Sequence, residues 1–297
     1  MSEAISSADV PRDLGWRDFL ELSKARIVLM VLMTTAAGFV VAAPHAFDLA
    51  LLIHTLIGTA FVAAGTNALN QYLERDLDGL MARTRRRPLP SQRMTDQTAL
   101  VFSLIISVFG TVYLYFVVHW IAAALALTTL VTYLGVYTPL KRRTTMCTII
   151  GAVPGAIPPM VGWAAAAGEL SFGAWFMFGV LFLWQMPHFL ALAWIYRDDY
   201  ENAGFAMVSV GDIGGRATST QAVLYAMALI PMTLIGPFAG VGGLGYVAGA
   251  MAISIVFVVA SLRFALERTN RNARTLFMVS NLFLVAIMSL IVVAALT

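Results

Sequence analysis

Charge is what this sequence has least of. Only 12% of its 297 residues are Asp, Glu, Lys or Arg, while 60% are hydrophobic; a soluble domain carries about 25% charge. That scarcity excludes a soluble globular protein and leaves a chain that crosses a membrane repeatedly. Cysteine is almost missing as well. Cys147 alone excludes an internal disulfide framework and any cysteine-rich metal centre. No tract is of low complexity, and no polar stretch is long enough to fold as a separate soluble domain. The opening segment MSEAISSADVPRDLGW has no apolar core and carries Glu3, Asp9 and Asp13. It has the form of neither a secretory signal nor an acid-poor transit peptide, which points to a multi-pass protein of a bacterial inner membrane.

What is present is a succession of apolar runs of about 20 residues, the length that spans a bilayer. They fall at 27–43, 49–72, 100–117, 121–138, 146–165, 172–195, 221–238, 243–262 and 276–296. The third and fourth are separated only by Val118, His119 and Trp120. The expected architecture is an all-α polytopic bundle of nine transmembrane helices. It forms a single domain over residues 1–297, with 1–22 a cytoplasmic N-terminal segment. With the N-terminus inside, all 19 Lys and Arg residues fall in the inner segments and every outer loop has none, as the positive-inside rule requires. Among the acids only Asp48 and Glu169 lie on the outer side. The expected topology is N-terminus cytoplasmic, C-terminus outside, with ionic chemistry confined to the cytoplasmic ends of the spans.

The densest polar block is NQYLERDLDGLMARTRRRPLP, residues 70–90. Asn70, Glu74 and Asp78 recur every fourth residue, so on a helix they share one face, spaced by about 6 Å along it. Two carboxylates and an amide oxygen are hard ligands suited to Mg²⁺; charged residues at the end of a span also serve as a simple interfacial cap. Asn67 lies one turn earlier, and Arg83, Arg85, Arg86 and Arg87 follow directly, the complement for a phosphorylated substrate. Asp76 falls off that face and is expected to be solvated or paired with an arginine. Together these residues describe a place where a membrane-dissolved diphosphate is held by metal and arginine.

The pattern N-x-x-x-D-x-x-x-D followed by R-T-x-x-R-P resembles the first signature of the intramembrane aromatic prenyltransferases, the UbiA superfamily. Asn70 and Asp78 match it; Glu74 stands where the first aspartate is usual, one methylene longer with the same charge. The run MARTRRRPL, YTPLKRRT at the end of the fourth span, and WQMPHF and DYENAGFAM in and after the sixth are similar to the protoheme IX farnesyltransferase branch. Quinone-forming relatives usually carry a second D-x-x-x-D in that last region; here Asp198 and Asp199 stand side by side. Another departure is Lys24-Ala25-Arg26 where the family tends to K-P-R. The resemblance extends from Ser23 to about Gly214, with helix pattern alone beyond.

The resemblance implies farnesyl diphosphate and haem b as substrates in the lipid bilayer, with Mg²⁺ as cofactor. Asn70, Glu74, Asp78 and Asp199 are then metal ligands. Arg83, Arg87, Lys141 and Arg142 hold the diphosphate, and Tyr137 and His188 contact substrate. Pro187 is expected to kink the sixth span, and His188 beside it is a candidate because an ionisable group inside a membrane is a functional site by default; it reaches the haem iron, orients a propionate, or is bonded within the bundle. The product would pass to haem A synthase or to cytochrome oxidase assembly. Alternatives are a family member acting on a quinone precursor or another tetrapyrrole, and a transporter, against which stands the gathering of charge at one face rather than at the midplane. Arginines in short loops against a membrane exclude a nucleic-acid role.

Overall fold

In hydrocarbon every backbone N–H and C=O must be satisfied within the chain, which leaves the helix as the element a segment can form alone. The computed structural model describes residues 14–297, and among them there are helices and turns but no strand. Arg12 and the acids Glu3, Asp9 and Asp13 lie outside the described residues. A short α1 (Trp16–Leu22) precedes α2 (Ala25–Ala42), and α3 (Leu49–Leu73) is followed by a short α4 (Arg75–Leu80). Then come α5 (Asp96–Val118), α6 (Trp120–Leu140), α7 (Cys147–Ala167) and α8 (Phe172–Ile195). A short α9 (Arg197–Asn202) leads to α10 (Arg216–Leu234), α11 (Leu244–Leu266) and α12 (Asn270–Leu296).

Nine of these helices are long and apolar enough to cross a membrane, in the positions the apolar runs indicate. Three begin four or more residues earlier than expected: α5 starts at Asp96 rather than 100, α10 at Arg216 rather than 221, and α12 at Asn270 rather than 276. Their first turns are polar, so hydropathy marks where the lipid-compatible part begins and not where the helix does. The thin separator between the third and fourth spans is real. His119 adopts an extended backbone, and its Nδ1 accepts the Ile121 N–H, capping α6. Of the prolines, Pro187 sits inside a continuous α8, whereas α7 is divided at Ile157, just ahead of Pro158 and Pro159.

Consecutive spans pack as neighbours and α12 returns to α2, closing the succession; α2 also crosses α7, and α8 crosses α12. The α2–α7 crossing is close because glycine makes it so. A Cβ on Gly38 would meet the Pro159 backbone, and one on Gly162 would meet the Thr35 backbone, the small-residue route to helix association in membranes. α7 and α8 are thereby the most enclosed spans.

The second and sixth spans carry a local repeat. Each ends in a single-residue joint, Glu74 (φ −101°, ψ 8°) and Tyr196 (φ −111°, ψ 25°), before a short helix continues. After each joint an arginine donates back to a carbonyl three residues earlier, Arg75 to Tyr72 at 2.8 Å and Arg197 to Trp194 at 3.1 Å. Each guanidinium covers that residue's ring, at 4.8 and 4.6 Å. Asp76, beside Arg75, is solvent-exposed, as its position off the polar face implies.

Candidate active site

Asn70, Glu74 and Asp78 converge at one end of the bundle, though not on an unbroken helix. The chain bends at Glu74, yet the four-residue hydrogen bonding survives the bend. Glu74 N–H donates to the Asn70 carbonyl at 3.0 Å, and Asp78 N–H to the Glu74 carbonyl at 2.8 Å. The three side chains stay on one face. All three are buried, Asn70 and Asp78 to 1% exposure.

Buried carboxylates require partners, since removing an ion from water costs several kcal/mol. Arg87, on the turn after α4, donates to Asp78 Oδ2 at 2.6 Å. Lys141, from the end of α6, donates to Glu74 Oε1 at 2.7 Å. Its ammonium sits 4.5 Å from the Tyr137 ring centre, with Tyr133 and Phe205 at 5.9 and 6.0 Å, an aromatic surround that favours a cation. Burial alone would pull the Lys141 pKa down; Tyr137 and the hydrogen-bonded Glu74 carboxylate reverse this and hold it above the ordinary lysine range.

Lys24 is the site residue that sequence reasoning passed over, noted there only for the alanine that follows it. It donates to Asn70 Oδ1 at 3.0 Å, while Asn70 Nδ2 donates to Thr138 Oγ1 at 3.3 Å. Its backbone is left-handed, φ 51°, which a residue bearing a Cβ adopts only where the surroundings over-determine it. They do so here. Gln71 Nε2 donates to the carbonyls of Glu21 and Leu22, at 3.0 and 2.7 Å, and Arg93 pairs with Asp18 and Glu21. Both contacts pin α1 immediately before Lys24. Burial, with Arg87 and Lys141 close by, brings the Lys24 pKa down to about 7. An anion placed among these three cations would raise it again. Replacing Lys24 by methionine is expected to lower kcat/KM for a diphosphate substrate by about 10- to 100-fold, the worth of a hydrogen bond to a charged group, as initial rates would measure.

The remaining expected residues divide into those brought close and those left outside. Asp199 Oδ1 accepts the Ala82 N–H at 2.9 Å, so it ties the loop after α4 to α9. Arg83 lies over Tyr196 at 4.5 Å and donates to the Tyr200 hydroxyl at 3.3 Å. Through these contacts the two repeats clasp each other across the end of the bundle. Arg142 is exposed and has no hydrogen bond or ion pair among the described residues. His188 lies deeper, on α8 against α12, and its Nδ1 is 2.8 Å from Ser280 Oγ.

No three His, Cys, Asp or Glu side chains gather into a metal cluster among the described residues. The donor set of Asn70, Glu74 and Asp78 is one amide and two carboxylates, all oxygen, and each carboxylate spends one oxygen on its cation. Such a set fits a hard divalent ion that keeps part of its coordination for substrate oxygens.

The geometry has counterparts. A protoheme IX farnesyltransferase of Solibacter usitatus is 44% identical over 277 residues, covering 90% of this chain and 95% of that protein. One from Koribacter versatilis is 42% identical, covering 83% and 81%. Among solved structures, one of a digeranylgeranylglyceryl phosphate synthase superposes with a TM-score of 0.78 at 16% identity, over 94% of this chain and 98% of the other. A UbiA homologue from Archaeoglobus fulgidus bound to GPP and Mg²⁺ does so with 0.63 at 14% identity, over 92% and 99%; these two likenesses concern the fold. The profile of the UbiA prenyltransferase family matches residues 31–285, from within α2 to within α12 and so well past the stretch where local motifs carried the resemblance. Nine spans, a polar joint after the second, a second joint after the sixth and that continuous match have one explanation: the chain belongs to the UbiA prenyltransferase family.

Proposed function

We propose that this protein transfers a farnesyl group from farnesyl diphosphate to a vinyl group of haem b, with addition of water, giving haem O. The observation that carries the proposal is the buried cluster of Lys24, Arg87 and Lys141 around Asn70, Glu74 and Asp78, in a chain whose relatives at 44% and 42% identity are named protoheme IX farnesyltransferases. It lies at the inner face of a bacterial plasma membrane, with the N-terminus inside and the C-terminus outside.

Ionisation of an allylic diphosphate breaks the C–O bond and leaves negative charge on the departing diphosphate, so the barrier falls where fixed positive charge meets that group. Lys141, Arg87 and Lys24 are fixed in this way, each already held by an oxygen of the polar face. Asn70, Glu74, Asp78 and Asp199 would hold Mg²⁺, which supplies Lewis-acid stabilisation of the same oxygens when bound. Arg83, aimed by Tyr196 and Tyr200, and Arg142, whose exposed side chain is unengaged, contact the outer diphosphate oxygens. The rings of Tyr133, Tyr137 and Phe205 stand beside this cluster and present π faces to the allylic cation, while the apolar bundle keeps water from it. The terminal vinyl carbon attacks the farnesyl C1, and the resulting haem-side cation takes up water and loses a proton. The product is a hydrophobic haem that a membrane-bound haem-modifying or oxidase-assembly step would consume.

The acceptor is the part of the assignment that the diphosphate cluster does not determine. Purified protein given farnesyl diphosphate with equal amounts of haem b and a hydroxybenzoate is expected to prenylate the haem alone. Prenylation of the hydroxybenzoate would leave the cluster's role intact and reassign the acceptor to a quinone precursor.

A further inference from the structure

His188 is the one intramembrane group singled out by sequence that the diphosphate chemistry does not use. It lies on α8, seven residues from the Ile195 end, which is about 10 Å of helix above the joint that leads to Asp199. Its ring is stacked on Phe277 of α12, centroids 4.7 Å apart at 30°, with Trp184 at 5.1 Å on its own helix. The ring is therefore fixed in orientation before anything binds.

The hydrogen bonds favour one tautomer too. Ser280 Oγ lies 2.7 Å from the Phe277 carbonyl, to which it donates within its own helix, and in that arrangement its lone pairs face His188 Nδ1 at 2.8 Å. Ser280 is in turn held by Trp184 Nε1, which donates to the Ser280 carbonyl at 2.6 Å. The network assigns the proton of the neutral imidazole to Nδ1. Nε2 is left as a bare lone pair. It has no hydrogen-bond partner among the described residues, and packing does not seal it. A polar nitrogen with nothing to bond is costly at membrane depth, and a histidine serving only to join α8 to α12 has no need of an open Nε2.

An imidazole held at Nδ1 by a hydrogen bond, with Nε2 open, is the arrangement by which proteins present histidine to a metal. We infer that His188 Nε2 ligates the iron of the haem acceptor, with Ser280 as the positioning residue that holds the ring and its tautomer. The inference rests on haem being the acceptor. It adds how the macrocycle is oriented: iron on α8, so that the haem is anchored by its centre while a vinyl at its edge meets the allylic cation. Phe277 and Trp184 flank the ligating ring and stiffen it against rotation.

The test is haem b titrated into the purified full-length protein in detergent, read by optical absorption and, in the ferrous state, by the iron–histidine stretch in resonance Raman. Wild-type protein is expected to bind haem with a histidine-ligated spectrum. His188→Ala is expected to lose that stretch and to regain a nitrogen-ligated spectrum when imidazole is added. Should His188→Ala fold poorly, Ser280→Ala provides the second reading. It is expected to shift the stretch and weaken haem binding about 10- to 100-fold, the usual cost of removing a partner behind a ligand. Haem binding and farnesylation by wild type with a spectrum unchanged in His188→Ala, or in Ser280→Ala where that variant serves, would overturn the ligand assignment alone. Failure of wild type to bind haem at all would overturn it together with the choice of acceptor.

Discussion

Asp78→Asn is expected to lower kcat for farnesyl transfer by at least about 100-fold, the scale of losing one fixed charge-stabilising group in a water-excluded site. The variant keeps the shape of the side chain and an oxygen for Arg87, which now donates to Asp78 Oδ2 at 2.6 Å. What it loses is the negative charge. With Lys24, Arg87 and Lys141 gathered around the face, the proposed ligand set has Asp78 contribute by recruiting a divalent ion and little by packing, so insertion and helix content should be unchanged. Asp78→Ala is expected to be equally inactive and still inserted, because the Arg87 side chain is 23% exposed and can find water. Single-turnover rates on detergent-purified protein, with circular dichroism as the check on folding, would measure both. Near-normal rates in either variant would show that Asp78 binds no metal, and with it the ligand set proposed for that face would fall.

Removing one partner of the Glu74–Lys141 pair should cost far more stability than removing both. The two side chains are each 9% exposed and 2.7 Å apart, so either single variant leaves an uncompensated buried charge, at a cost of about 3–5 kcal/mol. Glu74→Gln and Lys141→Met are each expected to lower the thermal midpoint markedly. The double variant should recover most of that loss while remaining inactive, since the diphosphate would have lost both a cation and a metal ligand. A double-mutant cycle of thermal midpoints gives the coupling directly. Additive losses would mean that the two charges are not a pair in the folded protein, and a double variant with normal turnover would remove both from the site.

What the sequence made legible was what local spacing encodes. Nine apolar runs appear as nine spans because hydrocarbon thickness sets a length that hydropathy measures directly. The common face of Asn70, Glu74 and Asp78 was legible because a four-residue repeat is a property of the helix, and it survives the Glu74 joint through the backbone bonds that bridge it. Lys24 was not legible as a site residue. It is 46 positions from Asn70, and the left-handed backbone that delivers it depends on Gln71 and Arg93 holding α1, contacts that exist only after folding. Its only signal was the K-A-R departure from the family pattern. The same distance effect hid the partner of Asp199, a backbone N–H at Ala82, and that of His188, on the last helix. Arg142 shows the converse: adjacency to Lys141 in sequence placed both at the site, but consecutive residues at a helix end point in different directions, and Arg142 faces outward. The second and sixth spans carry a loose echo in sequence, since clustered carboxylates follow each, Glu74, Asp76 and Asp78 after one and Asp198 and Asp199 after the other. Its cause is the repeated joint and back-bonded arginine, which side-chain identities alone do not encode.

The central claim is that this bundle joins farnesyl diphosphate to haem b with the help of a divalent ion bound at the Asn70 face. The most direct measurement incubates purified protein with both substrates, with Mg²⁺ or with a chelator in its place, and follows the haem by mass. The expected result is a haem heavier by one farnesyl group and one hydroxyl, formed with Mg²⁺ and absent under chelation. A haem of unchanged mass in the presence of Mg²⁺, or the same product in full yield with every divalent ion removed, would contradict it.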